Sequence, residues 1–364
     1  MINSERLLAC FLGLVRIDSL SRQEQAIGEH VMALLRELGA TVERDEIGNV
    51  FAQLDGRGEP LLLNAHLDTV VPGNGVQPVV QDGVIRSDGR TVLGSDDKAG
   101  VAIILEVLRA IREKGLPRPP VDVLFTVQEE LGLRGARAFD VSKLRARQGI
   151  GLDAGGPIGT VVIATPSQDK LEAIVHGRAA HAGSEPEKGI SAIVVAAEAI
   201  SRMPLGRIDA ETTANIGSIS GGQATNIVCD RVELKGEARS RNANKLVAQV
   251  AAMTGALEEA AARHGATVDI KVTHEYLAYS IDPASPLLTL LAAAAGQVGI
   301  EPLYVPTGGG SDSNVLNAAG IQITNISTGM AKVHTTQEQI ALADMVRCAE
   351  WLLACLRLRA QENG

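Results

Sequence analysis

The sequence predicts an α/β fold interrupted by a smaller α+β domain, and three observations predict it. First, nearly continuous apolar runs recur at Leu61–Asn64, Val121–Val127 and Ile150–Leu152. Such runs are expected of strands buried on both faces of an α/β sheet. Second, an amphipathic helix lies between them over Lys98–Lys114. Val101, Ile104, Leu105, Leu108 and Ile111 form its apolar stripe, and Gly115 is its stop. Third, the pattern changes over residues 168–276. A strand (Lys170–Val175), a helix (Ile190–Met203), two strands (Asn215–Ser220, Ile227–Arg239), a helix (Asn244–His264) and a last strand (Thr267–His274) follow in turn. The order β-α-β-β-α-β is that of a ferredoxin-like domain.

The chain then returns to the first domain, with a helix over Leu287–Gly296 and an apolar strand over Ile321–Ile326. Residues 1–167 and 277–364 therefore read as one domain, with 168–276 inserted. Thr335-x-x-Glu338 has the form of a capping box and is expected to open the last helix, which runs to about Leu358. At the N-terminus, Leu7–Val15 reads as an amphipathic helix rather than a signal peptide, since Glu5 and Arg6 precede it and no basic leader does.

Composition narrows the function. A length of 364 residues suits two domains better than one. The net charge of -9 leaves no basic excess for phosphates, so no nucleic-acid partner is expected. No apolar run reaches the ~18 residues of a membrane span. Cys10, Cys229, Cys348 and Cys355 form no C-x-x-C pair. They read as free thiols in a reducing cytoplasm rather than as a thiolate metal site.

Five short motifs carry chemistry. His66-Leu67-Asp68 ends the first buried strand. Asp96-Asp97-Lys98 stands at the mouth of the central helix, where acids can also complement the helix dipole. Glu129-Glu130 follows the second strand. Asp153 ends the third, before glycines, and His334 lies in a late loop. Each is ambiguous alone. Together they deliver imidazoles and carboxylates to the carboxyl ends of strands, where open α/β sheets bind ligands. A set of two His and several carboxylates suits zinc better than magnesium. One acid beside a ligand can take a proton from a water at such a site.

This constellation resembles the dinuclear zinc exopeptidases, the group of peptidase T, glutamate carboxypeptidase and the aminoacylases, and is most similar to its peptidase T-like branch. The resemblance implies a catalytic domain with a mixed, mostly parallel sheet and an inserted lid and dimerisation domain. It implies two zinc ions, with cobalt or manganese as substitutes. His66 and Asp153 would bind one ion, Glu130 and His334 the other, and Asp96 both. Asp68 would orient His66, Glu129 would be the general base, and the Asp96–Asp97 peptide would be cis. Arg178-Ala179-Ala180-His181-Ala182-Gly183 resembles the lid motif, whose His181 would stabilise the oxyanion across a homodimer. Asn226, Arg239, Gly309 and Ser311 fall in segments that resemble the substrate pocket. His30, His176, His264 and His274 match no motif and read as structural.

The expected activity is hydrolysis of amide bonds in short peptides, removing the N-terminal residue from tripeptides. Asp153, where a glutamate resembles carboxypeptidases and deacylases, favours the aminopeptidase side. An N-acyl amino acid deacylase or carboxypeptidase is the alternative. A non-catalytic metal-binding protein is more remote, because a purely structural site needs no Glu129.

Overall fold

The computed structural model describes residues 1–361. They divide into two compact units. The first comprises Met1–Ile163, Ser280–Pro306 and the residues from Ser311 onward; the second comprises Ala164–Tyr279 with Thr307–Gly310.

The first unit is built on a nine-stranded sheet. Its four central strands are Val121–Thr126, Leu61–His66, Gln148–Gly155 and Gln322–Met330, side by side in that order and parallel. Val50–Leu54 and Thr41–Arg44 extend one side antiparallel, and Thr160–Thr165 pairs antiparallel at the other. Every residue of Leu61–His66 and of Val121–Thr126 is buried, which is why those runs are nearly continuous in apolar residues rather than alternating. Leu62, Leu124 and Ile323 join Phe51, Phe139 and Leu316 in one cluster. Helix Ser95–Lys114 packs on three of the central strands and on helices Ser4–Val15 and Leu342–Arg359. Because alternate residues of a strand point to opposite faces, the sheet is filled from both sides.

The central helix ends on Gly115 in the left-handed conformation (φ 58°), as the sequence predicts. Its start is pressed onto the strand Gln148–Gly155. A Cβ on Gly100 would lie 2.5 Å from Asp97 Oδ1 and 2.8 Å from Leu152 Cβ. Only glycine lets the acidic pair approach the strand that carries Asp153.

One expectation fails here. Thr335 and Glu338 do not open the last helix, which begins at Leu342 with Ala341 as its N-cap and no capping side chain. A strand, Gln339–Ala341, intervenes and pairs with Val84–Ser87. Thr335 Oγ1 instead donates to Lys332 O and accepts from Gln337 N, closing a turn within the loop.

The second unit is an antiparallel five-stranded sheet. Its order is Gly206–Arg207, Thr212–Gly221, Arg231–Ser240, Ser167–His176 and Thr267–Tyr276. Helices Ala192–Arg202 and Ala243–His264 cover it, with Leu171, Val175, Val195, Ala199, Leu234 and Leu257 in the core. The β-α-β-β-α-β order is present, with the short Gly206–Arg207 strand added. No helix among the described residues is long and apolar enough to cross a membrane.

Candidate metal centre

His66 closes its strand and is 1% exposed. Its Nδ1 lies 2.9 Å from the main-chain oxygen of Asp68 and 3.5 Å from Asp68 Oδ1; its Nε2 lies 3.0 Å from Asp96 Oδ1. Asp68 thus orients the ring chiefly through its carbonyl. Its carboxylate does separate work: Oδ1 accepts the Glu129 N–H at 3.0 Å, and Oδ2 accepts the Glu130 N–H at 3.2 Å and the Ser21 hydroxyl at 2.6 Å. Gln128, with φ 54°, turns the chain out of the strand, and its N–H is held by Glu24 at 2.9 Å. Glu129 is left buried and Glu130 partly buried.

Asp96 and Asp97 interrupt the helical conformation at the start of Ser95–Lys114, and the peptide between them is cis. Asp97 turns away from the cluster: Oδ2 accepts the His66 N–H at 3.3 Å and Oδ1 the Gly100 N–H at 3.2 Å. Asp96 turns into it. Its Oδ1 faces His66 and its Oδ2 lies 3.2 Å from His334 Nε2, which is also 2.8 Å from Glu130 Oε1. His334 sits in a loop at φ 62°.

The side chains assemble into three overlapping groups: His66, Asp96 and Asp153; Asp96, Glu130 and His334; and His66, Glu129 and Glu130. Within each, the potential ligand atoms all lie within 4.8 Å of one another. The first two share Asp96. Each offers one imidazole and two carboxylates, three protein ligands in all, which suits a catalytic zinc that keeps a fourth position for water or substrate.

The electrostatics point the same way. Burial raises the Asp153 carboxyl well above its ordinary value, and Asp96 and Glu129 add to the shift. Burial likewise raises Glu129, His66 opposes it, and Asp312, Glu130 and Asp68 reinforce it. Asp96 goes the other way: burial is outweighed by His334 and His66, which hold it below its ordinary value. The His334 imidazole is raised to about 10 by Asp96 and Glu130. So many acids packed out of water around two imidazoles call for added positive charge, which divalent cations supply. The residues fit a metal pair.

The remaining predicted residues lie elsewhere. In the second unit, His181 Nδ1 accepts the N–H groups of Gly183 at 3.2 Å and Ser184 at 3.1 Å. A neutral ring then carries its proton on Nε2 and can donate from there. Asn226 O accepts the Ala182 N–H at 2.9 Å, which joins the two loops. Arg239 Nε lies 2.9 Å from Glu237 Oε1, and its Nη1 reaches Gly308 O at 3.4 Å. Gly309 N donates to Thr307 Oγ1 at 3.2 Å. In the first unit, Ser311 is the N-cap of helix Asp312–Ala318, and its hydroxyl accepts from Asn325 Nδ2 at 2.9 Å. His176, His264 and His274 pair at the surface with Asp269, Glu198 and Asp169.

Two buried acids stand outside the predicted site residues: Asp312, at the end of the pocket-like Gly309-Gly310-Ser311-Asp312 segment, and Glu338. Asp312 accepts from Thr126 and Asn64, residues of the strands that carry Glu129 and His66, and burial raises it to about 6. Glu338 is bound to the backbone around Asp96. Its only local pattern, Thr-x-x-Glu, points to a helix cap.

Residues 62–358 match Peptidase family M20/M25/M40. An uncharacterized protein of Bacillus subtilis (strain 168), YqjE, is 41% identical over 371 residues, spanning 99% of this chain and 100% of its own. The crystal structure of aminopeptidase PepT from Bacillus cereus ATCC 10987 matches with a TM-score of 0.89 at 40% identity, over 99% of this chain and 100% of that one. That of a tripeptidase from Staphylococcus aureus subsp. aureus mu50 matches with a TM-score of 0.95 at 38% identity, over 100% of both. The chain belongs to peptidase family M20/M25/M40, as a metallopeptidase of its peptidase T-like branch.

Proposed function

We propose that the chain removes the N-terminal residue from short peptides, tripeptides foremost, with two zinc ions held by His66, Asp96, Glu130, Asp153 and His334. One observation carries this reading: the two carboxylate oxygens of Asp96 each face a different imidazole, and each imidazole has a further acid beside it. Cobalt or manganese would satisfy the same donors. Bound there, the metals would supply Lewis acidity toward the scissile carbonyl and the attacking water.

The protein's own residues do the rest. Glu129 takes a proton from the water and passes it to the leaving amine, a task suited to a carboxyl that burial has raised. Asp68 holds His66 and the Glu129–Glu130 turn in one frame. His181 donates its Nε2 proton to the oxyanion, and Asn226, Arg239, Gly309 and Ser311 belong to the substrate side. The reading includes a homodimer in the cytoplasm, with His181 of the partner subunit completing each site. Support comes from the open edge of strand Thr212–Gly221, where Ile219 is 51% exposed, and from the outer face of helix Ala192–Arg202, where Ile193 and Val194 are 47% and 52% exposed.

A panel of di- and tripeptides with free or acylated N-termini, assayed with and without zinc, tests the activity. Free tripeptides should be hydrolysed fastest, and only with metal present. Faster turnover of N-acyl amino acids would place the chain among the deacylases. For the dimer, co-refolded His181→Ala and Glu129→Gln chains should regain activity that neither has alone; a verified mixed dimer that stays inactive would refute the exchange of His181.

A further inference from the structure

Glu338 is 1% exposed, and its carboxylate gathers four donors from one short segment. Oε2 accepts the N–H groups of Leu93 at 2.8 Å and Gly94 at 2.9 Å; Oε1 accepts the Ser95 hydroxyl at 2.6 Å and the Asp96 N–H at 3.0 Å. All four bonds span more than 240 residues of sequence. The segment leads into the acid that both candidate metal positions share. At its own end, Glu338 belongs to the loop that presents His334. That loop is closed by the Glu338 N–H to Thr335 O at 3.1 Å and by Thr335 Oγ1 to Lys332 O at 2.7 Å.

We propose that Glu338 is a positioning residue for the second metal: it ties the His334 loop to the Asp96 backbone and so sets the spacing of two ligands that themselves lie outside the paired strands. His66 and Asp153 sit on neighbouring parallel strands, whose register places them. The His334 loop is pinned at its base, where Ala331 and Gln339 exchange main-chain hydrogen bonds at 2.9 and 3.0 Å, but His334 itself lies outside that pairing, and the Glu338 carboxylate ties its loop to the Asp96 backbone. The inference rests on the two-metal reading.

The test is calorimetric titration of the metal-stripped full chain with zinc alone, beside elemental analysis and thermal unfolding. Wild type should take two ions. Glu338→Gln keeps the shape, but its amide nitrogen meets donors whichever oxygen it replaces. It should keep the first zinc affinity and weaken the second about 10–100-fold, the usual loss when a group that orients a ligand is removed. Ser95→Ala, which removes one donor and leaves the carboxylate, should shift the second affinity less and in the same direction, and serves if Glu338→Gln does not fold. A purely structural role would lower thermal stability without separating the two affinities. Two wild-type affinities in folded Glu338→Gln, or equal weakening of both, would overturn the proposal. A wild-type chain that binds fewer than two ions would instead overturn the two-metal reading on which it stands.

Discussion

The two halves of the candidate metal centre share Asp96 and differ in almost everything else. In the His66 half the histidine is 1% exposed, and it and Asp153 come from adjacent parallel strands. The His334 half places its imidazole, 51% exposed, on a loop at a left-handed backbone position, with Glu130 on a turn beyond another strand. Sheet register places the first half, and the Asp68 carbonyl then orients the His66 ring. The second depends on hydrogen bonds beyond strand pairing: Asp68 holding the Glu130 amide, and Glu338, in the His334 loop itself, holding the approach to Asp96. A strand end positions a ligand by the pairing of the whole sheet, whereas a loop positions one only as well as its few ties allow.

The largest expected effect separates chemistry from both halves. Glu129→Gln should lower kcat about 10²–10⁴-fold, as for a lost general acid–base, while elemental analysis still finds both metals. Near-normal turnover would remove Glu129 from the mechanism; loss of metal would make it a ligand and blur the division into two triads.

Graded chelation comes next. The metal beside His334 should leave first, with about tenfold or more between the two affinities, given its exposure and its dependence on outer ties. His334→Ala should abolish the weaker step and leave the stronger one. A single cooperative loss of both ions would contradict the asymmetry.

The smallest effect concerns the His334 loop itself. Since Thr335 is exposed and caps no helix, Thr335→Ala should change unfolding stability by no more than about 0.5 kcal/mol in urea titration. A loss of about 1 kcal/mol or more, the usual cost of a missing cap, would restore the cap reading.

The same contrast explains what the sequence discloses. Leu61–His66 and Val121–Thr126 are legible because burial on both faces favours apolar residues at most positions, and His66 and Glu129 stand where those runs stop. The metal-ligating types are legible because several such stops gather in one chain. Glu338 is not, because its four partners lie far along the sequence and its neighbours imitate a local motif. Ser311, in a glycine-rich segment that suggests a pocket, is bound up in a helix cap. Short edge strands such as Thr41–Arg44 and Pro78–Gln81 are mostly exposed and lack the apolar signal of the centre. The inserted unit is legible in outline, since long strands and helices alternate there with clear breaks.

The most direct test of the shared-ligand geometry is anomalous diffraction at the zinc edge from crystals of the zinc-loaded protein. Two peaks a few ångströms apart should appear, one between His66 and Asp153, the other between Glu130 and His334, with Asp96 touching both. A single peak in protein of full peptidase activity, or peaks remote from Asp96, would contradict it.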